Sequence, residues 1–122
     1  MAKNRLINTK FWTDGYILEL DPAEKLLFMY LFTNSHTNIC GTYELSIRLI
    51  VAETGFDTKM VEKILKRFEE DDKFYYIDGW IYVKNFVRHQ STQSPTVKKG
   101  IISEYSLVPA KIRNKIDDID KG

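Results

Sequence analysis

Lysines are the residues of this chain best suited to chemistry with a partner. In "DTKMVEKILKRFEEDDK", residues 57–73, Thr58, Lys59, Lys63 and Lys66 stand off the apolar positions. Ammonium and hydroxyl groups so placed can meet phosphate oxygens or the edge of a guanine. Lys84, Arg88, Lys98 and Lys99 form a second basic group, and Lys3, Arg5 and Lys10 a third at the start. A competing reading uses the same residues. Glu62 precedes Lys66 by four positions and Lys66 precedes Glu70 by four, the spacing of helix-surface ion pairs. From Ser46 to Lys73 six basic side chains face seven acidic ones, so this stretch is close to neutral and few net charges are left for phosphate. From Ser91 onward the tally is six basic to four acidic, which makes the tail as good a candidate for DNA contact as the lysine run.

Catalytic chemistry has less to work with. His36 lies four residues from Cys40, but a zinc site needs further ligands that no nearby residue supplies. His89 stands alone, and neither histidine has a nucleophile at a useful spacing. The run "EEDDK" at 69–73 lacks the alternating oxygen ligands and glycine of a calcium loop, and reads as a solvated helix end. The scattered glycines make no phosphate cradle. We therefore expect no enzyme, no metal and no cofactor. A single cysteine among 122 residues excludes an internal disulfide. The longest apolar run, Leu26 to Phe32, is too short to span a bilayer, and "MAKNRLINTK" has no signal-peptide pattern. These features favour a cytoplasmic setting without membrane contact.

The elements that position the lysines can be read in order. Arg5–Asn8 suggests an extended arm or first strand. A short helix follows with Thr9 as its cap and Phe11, Trp12, Tyr16 and Ile17 on its apolar side. "DPAEKLLFMYLFTN" opens with Asp21 as N-cap, Pro22 at the first helical position and Glu24 three residues after the cap. Its stretch from Leu26 to Phe32 is apolar on every side, which suits a central helix or one shared with a partner. "NICGTYEL" reads as a short strand, and Ser46 caps a helix through Thr54 with Gly55 just beyond. After Gly55-Phe56-Asp57 a second helix spans Thr58 to Asp71, with Val61, Ile64, Leu65 and Phe68 at i, i+3, i+4 and i+7. That pair is a helix-turn-helix.

"FYYIDGWIYV", residues 74–83, then carries Asp78-Gly79 between two β-rich runs, the signature of a two-residue type I′ hairpin. Helix, strand, helix, turn, helix and hairpin is the winged-helix order, with the hairpin as the wing and "ICGTY" as its third strand. The expected fold is mainly α with a small three-stranded sheet: a winged helix-turn-helix with extra N- and C-terminal helices. Residues 1–20 form the arm and short helix, 21–90 the winged-helix core and 91–122 a helical extension. In that extension Ser94-Pro95 starts one helix and Pro109 starts another, with Ile112, Ile116 and Ile119 on one face.

The wing raises a difficulty. Tyr75, Ile77, Trp80 and Tyr82 share one face, and Phe74, Tyr76, Ile81 and Val83 the other, so both are apolar. The arm, the tail helices or a second subunit must cover the outer one, and Trp80 should be largely buried. The acidic tip, Asp78, is moreover a poor group to offer to phosphate.

The stretches "NTKFWTDGYILELDPAEKLLFMYLFTNSHTNICGTYELS" and "FYYIDGWIYVKNFVRHQ" resemble the N-terminal domain of phage-encoded replisome organisers of Gram-positive bacteria, related to DnaD-type primosome proteins. The Phe11-Trp12 pair, "TNICGTYELS" and "DGWIYVKNF" are its most specific pieces, and it covers roughly residues 5 to 105. It implies a DNA-binding winged helix acting at replication initiation, with duplex DNA as partner and single-stranded DNA as a further one. The full-length protein would meet the replicative helicase or its loader. The same resemblance implies an oligomerisation scaffold, for which Phe11, Trp12, Phe28, Phe32, Tyr75, Trp80 and Tyr82 are the candidate interface residues. A winged-helix transcriptional regulator is the more distant alternative. The chain stops among charges, which fits a domain of a longer protein.

Overall fold

The computed structural model describes residues 4–84 and 94–121. A 3-10 turn, Thr9–Thr13, leads into α1 (Gly15–Leu18) and α2 (Pro22–Thr33). Strand β1 (Thr42–Glu44), α3 (Ile47–Thr54), α4 (Thr58–Glu70), β2 (Phe74–Ile77) and β3 (Trp80–Val83) follow. Helices α5 (Pro95–Ser106) and α6 (Ala110–Lys121) end the chain. The strands form one antiparallel sheet in the order β1-β3-β2. This is the mainly helical winged-helix arrangement with added helices at both ends.

Local chemistry sets most of the boundaries. Asp21 accepts from the Glu24 backbone N–H at 2.9 Å and the Glu24 carboxylate accepts from the Asp21 N–H at 2.9 Å, a reciprocal cap that starts α2. Ser46 caps α3 and Asp57 caps α4. Between them Gly55 takes the left-handed φ of 81° that closes α3. At the N-terminus the expectation needs correction. Residues 4–8 belong to neither helix nor strand. The cap is Asn8, not Thr9, because the Asn8 side-chain oxygen reaches the Lys10 N–H two residues ahead at 2.8 Å. The arm is held instead by Arg5, whose guanidinium donates to the Thr37 hydroxyl at 2.8 Å and its carbonyl at 3.0 Å.

The core lies between α2, α4 and the inner face of the sheet. Leu27 and Leu31 of α2, Val61, Ile64, Leu65 and Phe68 of α4, and Phe74, Ile81 and Val83 of the wing are all buried in it. Phe28 is the centre of a ring cluster, 4.8 Å from Phe74, 5.4 Å from Phe68 and 5.5 Å from Phe32. The pairs with Phe74 and Phe68 are edge-on, a geometry that adds to the burial itself. Leu26, however, faces outward at 52% exposure, so α2 is not enclosed on every side.

The hairpin turns as its sequence requires: Asp78 has φ 47° and Gly79 φ 87°, both in the left-handed region that a type I′ turn demands. Its outer face is covered by the chain itself. Ile77 is buried with Val108, Ile112 and Ile116 of the tail, and Tyr75, Trp80 and Tyr82 pack against that cluster. Tyr82 donates to Asp120 of α6 at 2.8 Å. The preceding α5 is tied down by Glu104, which accepts from the Ile39 backbone N–H at 2.9 Å. Helix α6 has few apolar residues for its length, and it lies on the apolar outer face of the wing, where those few suffice.

Candidate nucleic-acid interface

The direction of β2 against α4 fixes how the wing stands beside the helix-turn-helix. Phe74 at the start of β2 touches Phe68 near the end of α4, at 5.4 Å. Two residues on, Tyr76 shares a groove with Leu65 and Glu62, a turn or two back along α4. The strand therefore runs back along the helix and carries the wing tip toward the α4 N-terminal half.

Along α4 the four buried residues define one side. At about 100° per residue, Lys59, Lys63 and Lys66 at i, i+4 and i+7 centre on the opposite side. All three lysines and Thr58 are exposed. The expected pairs of Lys66 with Glu62 and Glu70 do not form among the described residues. The only ion pairs of α4 there belong to Arg67, which meets Glu24 at 2.6 Å and Asp71 at 3.5 Å on another flank. Exposed lysine pairs of that kind gain little, so solvated charges are an acceptable outcome. Glu62 and Glu69 flank the lysine line beside a shallow groove lined by Ile47, Leu65, Lys66 and Tyr76. At the helix start, Asp57 accepts from the Met60 N–H at 2.8 Å. That carboxylate occupies the end where a phosphate would otherwise find free N–H groups. The cap thus leaves the lysine side of α4, not its tip, as the candidate surface for an anion.

The other basic candidates separate. Lys98 and Lys99 are exposed on α5. Arg88 lies outside the described residues. Lys84 is taken up within the fold, 2.9 Å and 2.8 Å from the two carboxylate oxygens of Asp72. Asp72 also accepts from the Tyr75 hydroxyl. Lys84 and then Tyr75 hold the Asp72 carboxyl below its usual range, and Asp72 in turn pushes the Tyr75 phenol up to about 12. Lys84 is thus part of a structural cluster at the wing base.

The candidate interface residues are mostly engaged within the chain. Phe11 meets Trp12 edge-on at 5.0 Å and Phe28 at 5.9 Å. Phe28 and Phe32 belong to the ring cluster, while Tyr75, Trp80 and Tyr82 pack against the Ile77, Ile112 and Ile116 cluster and are only partly buried, Trp80 less fully than expected. Of these candidates Trp12 alone stays open, at 59% exposure, on an N-terminal region that also exposes Leu6, Leu18 and Leu26.

Two residues absent from these expectations stand at the wing tip. Lys115 reaches Asp78 at 2.6 Å and Lys111 at 3.5 Å. Lys115 and then Lys111 hold the Asp78 carboxyl below its usual range. The sequence carried a signal for them: Lys111 and Lys115 sit four apart beside Ile112 and Ile116, the stripe that had to cover something.

The histidine and cysteine have structural surroundings. His36 Nε2 is 2.9 Å from Glu53, which also accepts from the Tyr30 hydroxyl, joining the loop after α2 to the end of α3. Cys40 is buried, and burial pushes its thiol up, away from the reactive thiolate. Among the described residues no group of three His, Cys, Asp or Glu side chains could hold a metal ion, and no helix is long and apolar enough to cross a membrane. Comparison with protein-family models, with curated proteins and with solved structures finds no match to this chain.

Proposed function

We propose that this chain is a winged-helix DNA-binding module that lays the lysine side of α4 against duplex DNA, as part of a phage-type replication initiation protein of the replisome-organiser, DnaD-like kind. The observation that carries the DNA reading is the line Lys59, Lys63, Lys66. It is exposed, it points directly away from the core, and no intrachain ion pair among the described residues consumes it. Phosphate contacts dominate affinity for DNA, and three lysines along one helix face supply them without any need for bulk basicity. The replication role rests on the sequence resemblance to replisome organisers, which would bring the replicative helicase or its loader as partner of the whole protein.

A second reading, an assembly scaffold, is favoured by one observation: Trp12, Leu18 and Leu26 are each more than half exposed near the N-terminus. One titration separates the two. Fluorescence anisotropy with a labelled duplex at low and moderate salt is expected to give binding that weakens with salt. Replacing Lys59, Lys63 and Lys66 together by Gln should lower the logarithmic salt slope by roughly 2.7, about 0.9 for each phosphate that is no longer neutralised. No binding at low salt would transfer the assignment to the scaffold.

A further inference from the structure

The net charge of +1 conceals an uneven distribution. In α4 the lysines at 59, 63 and 66 come first, and Glu69 and Glu70 come at the end, followed by Asp71 and Asp72. In α6 the order repeats: Lys111, Arg113 and Lys115 lie in the first half, Asp117, Asp118 and Asp120 in the second. The fold aligns the two gradients. The basic half of α6 sits at the wing tip, where Lys115 and Lys111 hold Asp78. Its acidic half sits lower on the wing, where Asp120 accepts from Tyr82, the cross-strand partner of Tyr75. Since β2 runs back along α4, the tip also lies toward the end of α4 that bears Lys59 and Lys63. Arg48, exposed in the first turn of α3, belongs to the same end, because Leu45 donates to the Gly79 carbonyl at 2.9 Å. The acidic groups there are Glu44, Asp57, Glu62 and Asp78.

At the tip itself two ammonium groups face one carboxylate, and the Lys111 side chain remains 73% exposed. An acidic hairpin tip, by itself a poor neighbour for phosphate, is thereby converted into a site of net positive charge. We propose that Lys111 and Lys115 of the C-terminal helix form a second phosphate-binding point at the wing tip, separate from the α4 lysine line. This inference rests on the DNA-binding reading above and adds a second element to it. Asp78 then acts as an internal competitor: it orients the two lysines in the free protein and gives way in part to backbone phosphates on binding.

The test uses the full chain and a labelled random-sequence duplex, with anisotropy read across a salt titration and melting temperature as the folding control. Lys111→Gln/Lys115→Gln should weaken binding and lower the salt slope by roughly 1.8. Asp78→Asn should tighten binding by about 1.5- to 5-fold, the scale of one exposed ion pair released. A purely structural clamp predicts unchanged or weaker binding for Asp78→Asn, and that result would overturn the proposal whatever the melting temperature. Lys63→Gln serves as the reference. If it weakens binding while the α6 double variant matches the parent in affinity and slope, the second point is wrong and the DNA reading stands. If the parent itself fails to bind at low salt, both fall. Should the double variant melt markedly lower, Lys111→Gln alone is read, since its contact with Asp78 is the longer one; an unchanged slope there refutes the proposal.

Discussion

Leu65 shows how much a single position conveys. It falls on the i, i+4 row of α4, it is buried, and one edge of it lines the shallow groove with Ile47 and Tyr76. Truncating a buried leucine loses its transfer free energy and leaves a void that the surroundings fill only in part. Because this void opens onto a groove, solvent can enter it. Leu65→Ala is therefore expected to cost about 2–3 kcal/mol, the low end for such changes, measured by denaturant unfolding. An unchanged midpoint would contradict the packing of α4. The stripe was legible because helical periodicity alone dictates it, and the type I′ turn at Asp78-Gly79 was legible because few dipeptides tolerate two positive φ angles. The destination of Lys84 was not. Its partner Asp72 lies across the base of the hairpin, and nothing in the spacing of the two distinguishes a lysine held by a carboxylate from one left for phosphate.

At the scale of elements, the wing and α6 are mutually dependent. Each is incomplete alone: the hairpin has an apolar outer face and α6 has a narrow apolar stripe, and their contact buries Ile77 against Ile112 and Ile116. Trp80 reports on this contact. In a Trp12→Phe variant the only remaining indole should emit at short wavelength and resist aqueous quenchers, since Trp80 packs under α6 while Trp12 is 59% exposed. A red-shifted, freely quenched Trp80 would mean that α6 does not cover the wing. The sequence showed that something had to lie on this face, because a two-sided apolar hairpin cannot face water. It did not show which element, because that depends on the path of the chain between the wing and α5, which no local pattern encodes. The same reason explains why the interface residues read from the aromatic pattern divide as they do. Tyr75, Trp80 and Tyr82 are taken by α6 and only Trp12 stays open.

Over the whole molecule, acidic groups and phenols set a window of pH in which the fold is most stable. On the acid side, Asp72, Asp78 and Glu53 all have carboxyls held below their usual range, Asp72 chiefly by Lys84, Asp78 chiefly by Lys115 and Glu53 chiefly by Tyr30. Such groups contribute stability above their unfolded pKa, near 3.8 for the two aspartates, and lose it as pH falls through the lower folded value. On the alkaline side, four tyrosines donate to carboxylates that join distant elements or close a turn: Tyr16 to Asp71, Tyr30 to Glu53, Tyr75 to Asp72 and Tyr82 to Asp120. Each phenol is raised above its ordinary value of 10.0, Tyr16, Tyr30 and Tyr82 first by burial and then by the carboxylate, Tyr75 first by Asp72. A raised folded pKa has the opposite sign. Its stability is present below the unfolded value and is lost as pH climbs through the folded one, which for Tyr75 is about 12. The melting temperature should accordingly hold level through the neutral range, fall below roughly pH 4 and fall again above roughly pH 10. Tyr82→Phe should soften the alkaline fall, since it removes one titrating phenol that bridges α6 to the wing. A melting temperature that stayed level from neutral pH to well above 10 would show that these phenols titrate as they do in the unfolded chain, and would refute the tyrosine–carboxylate pairs as links between the elements.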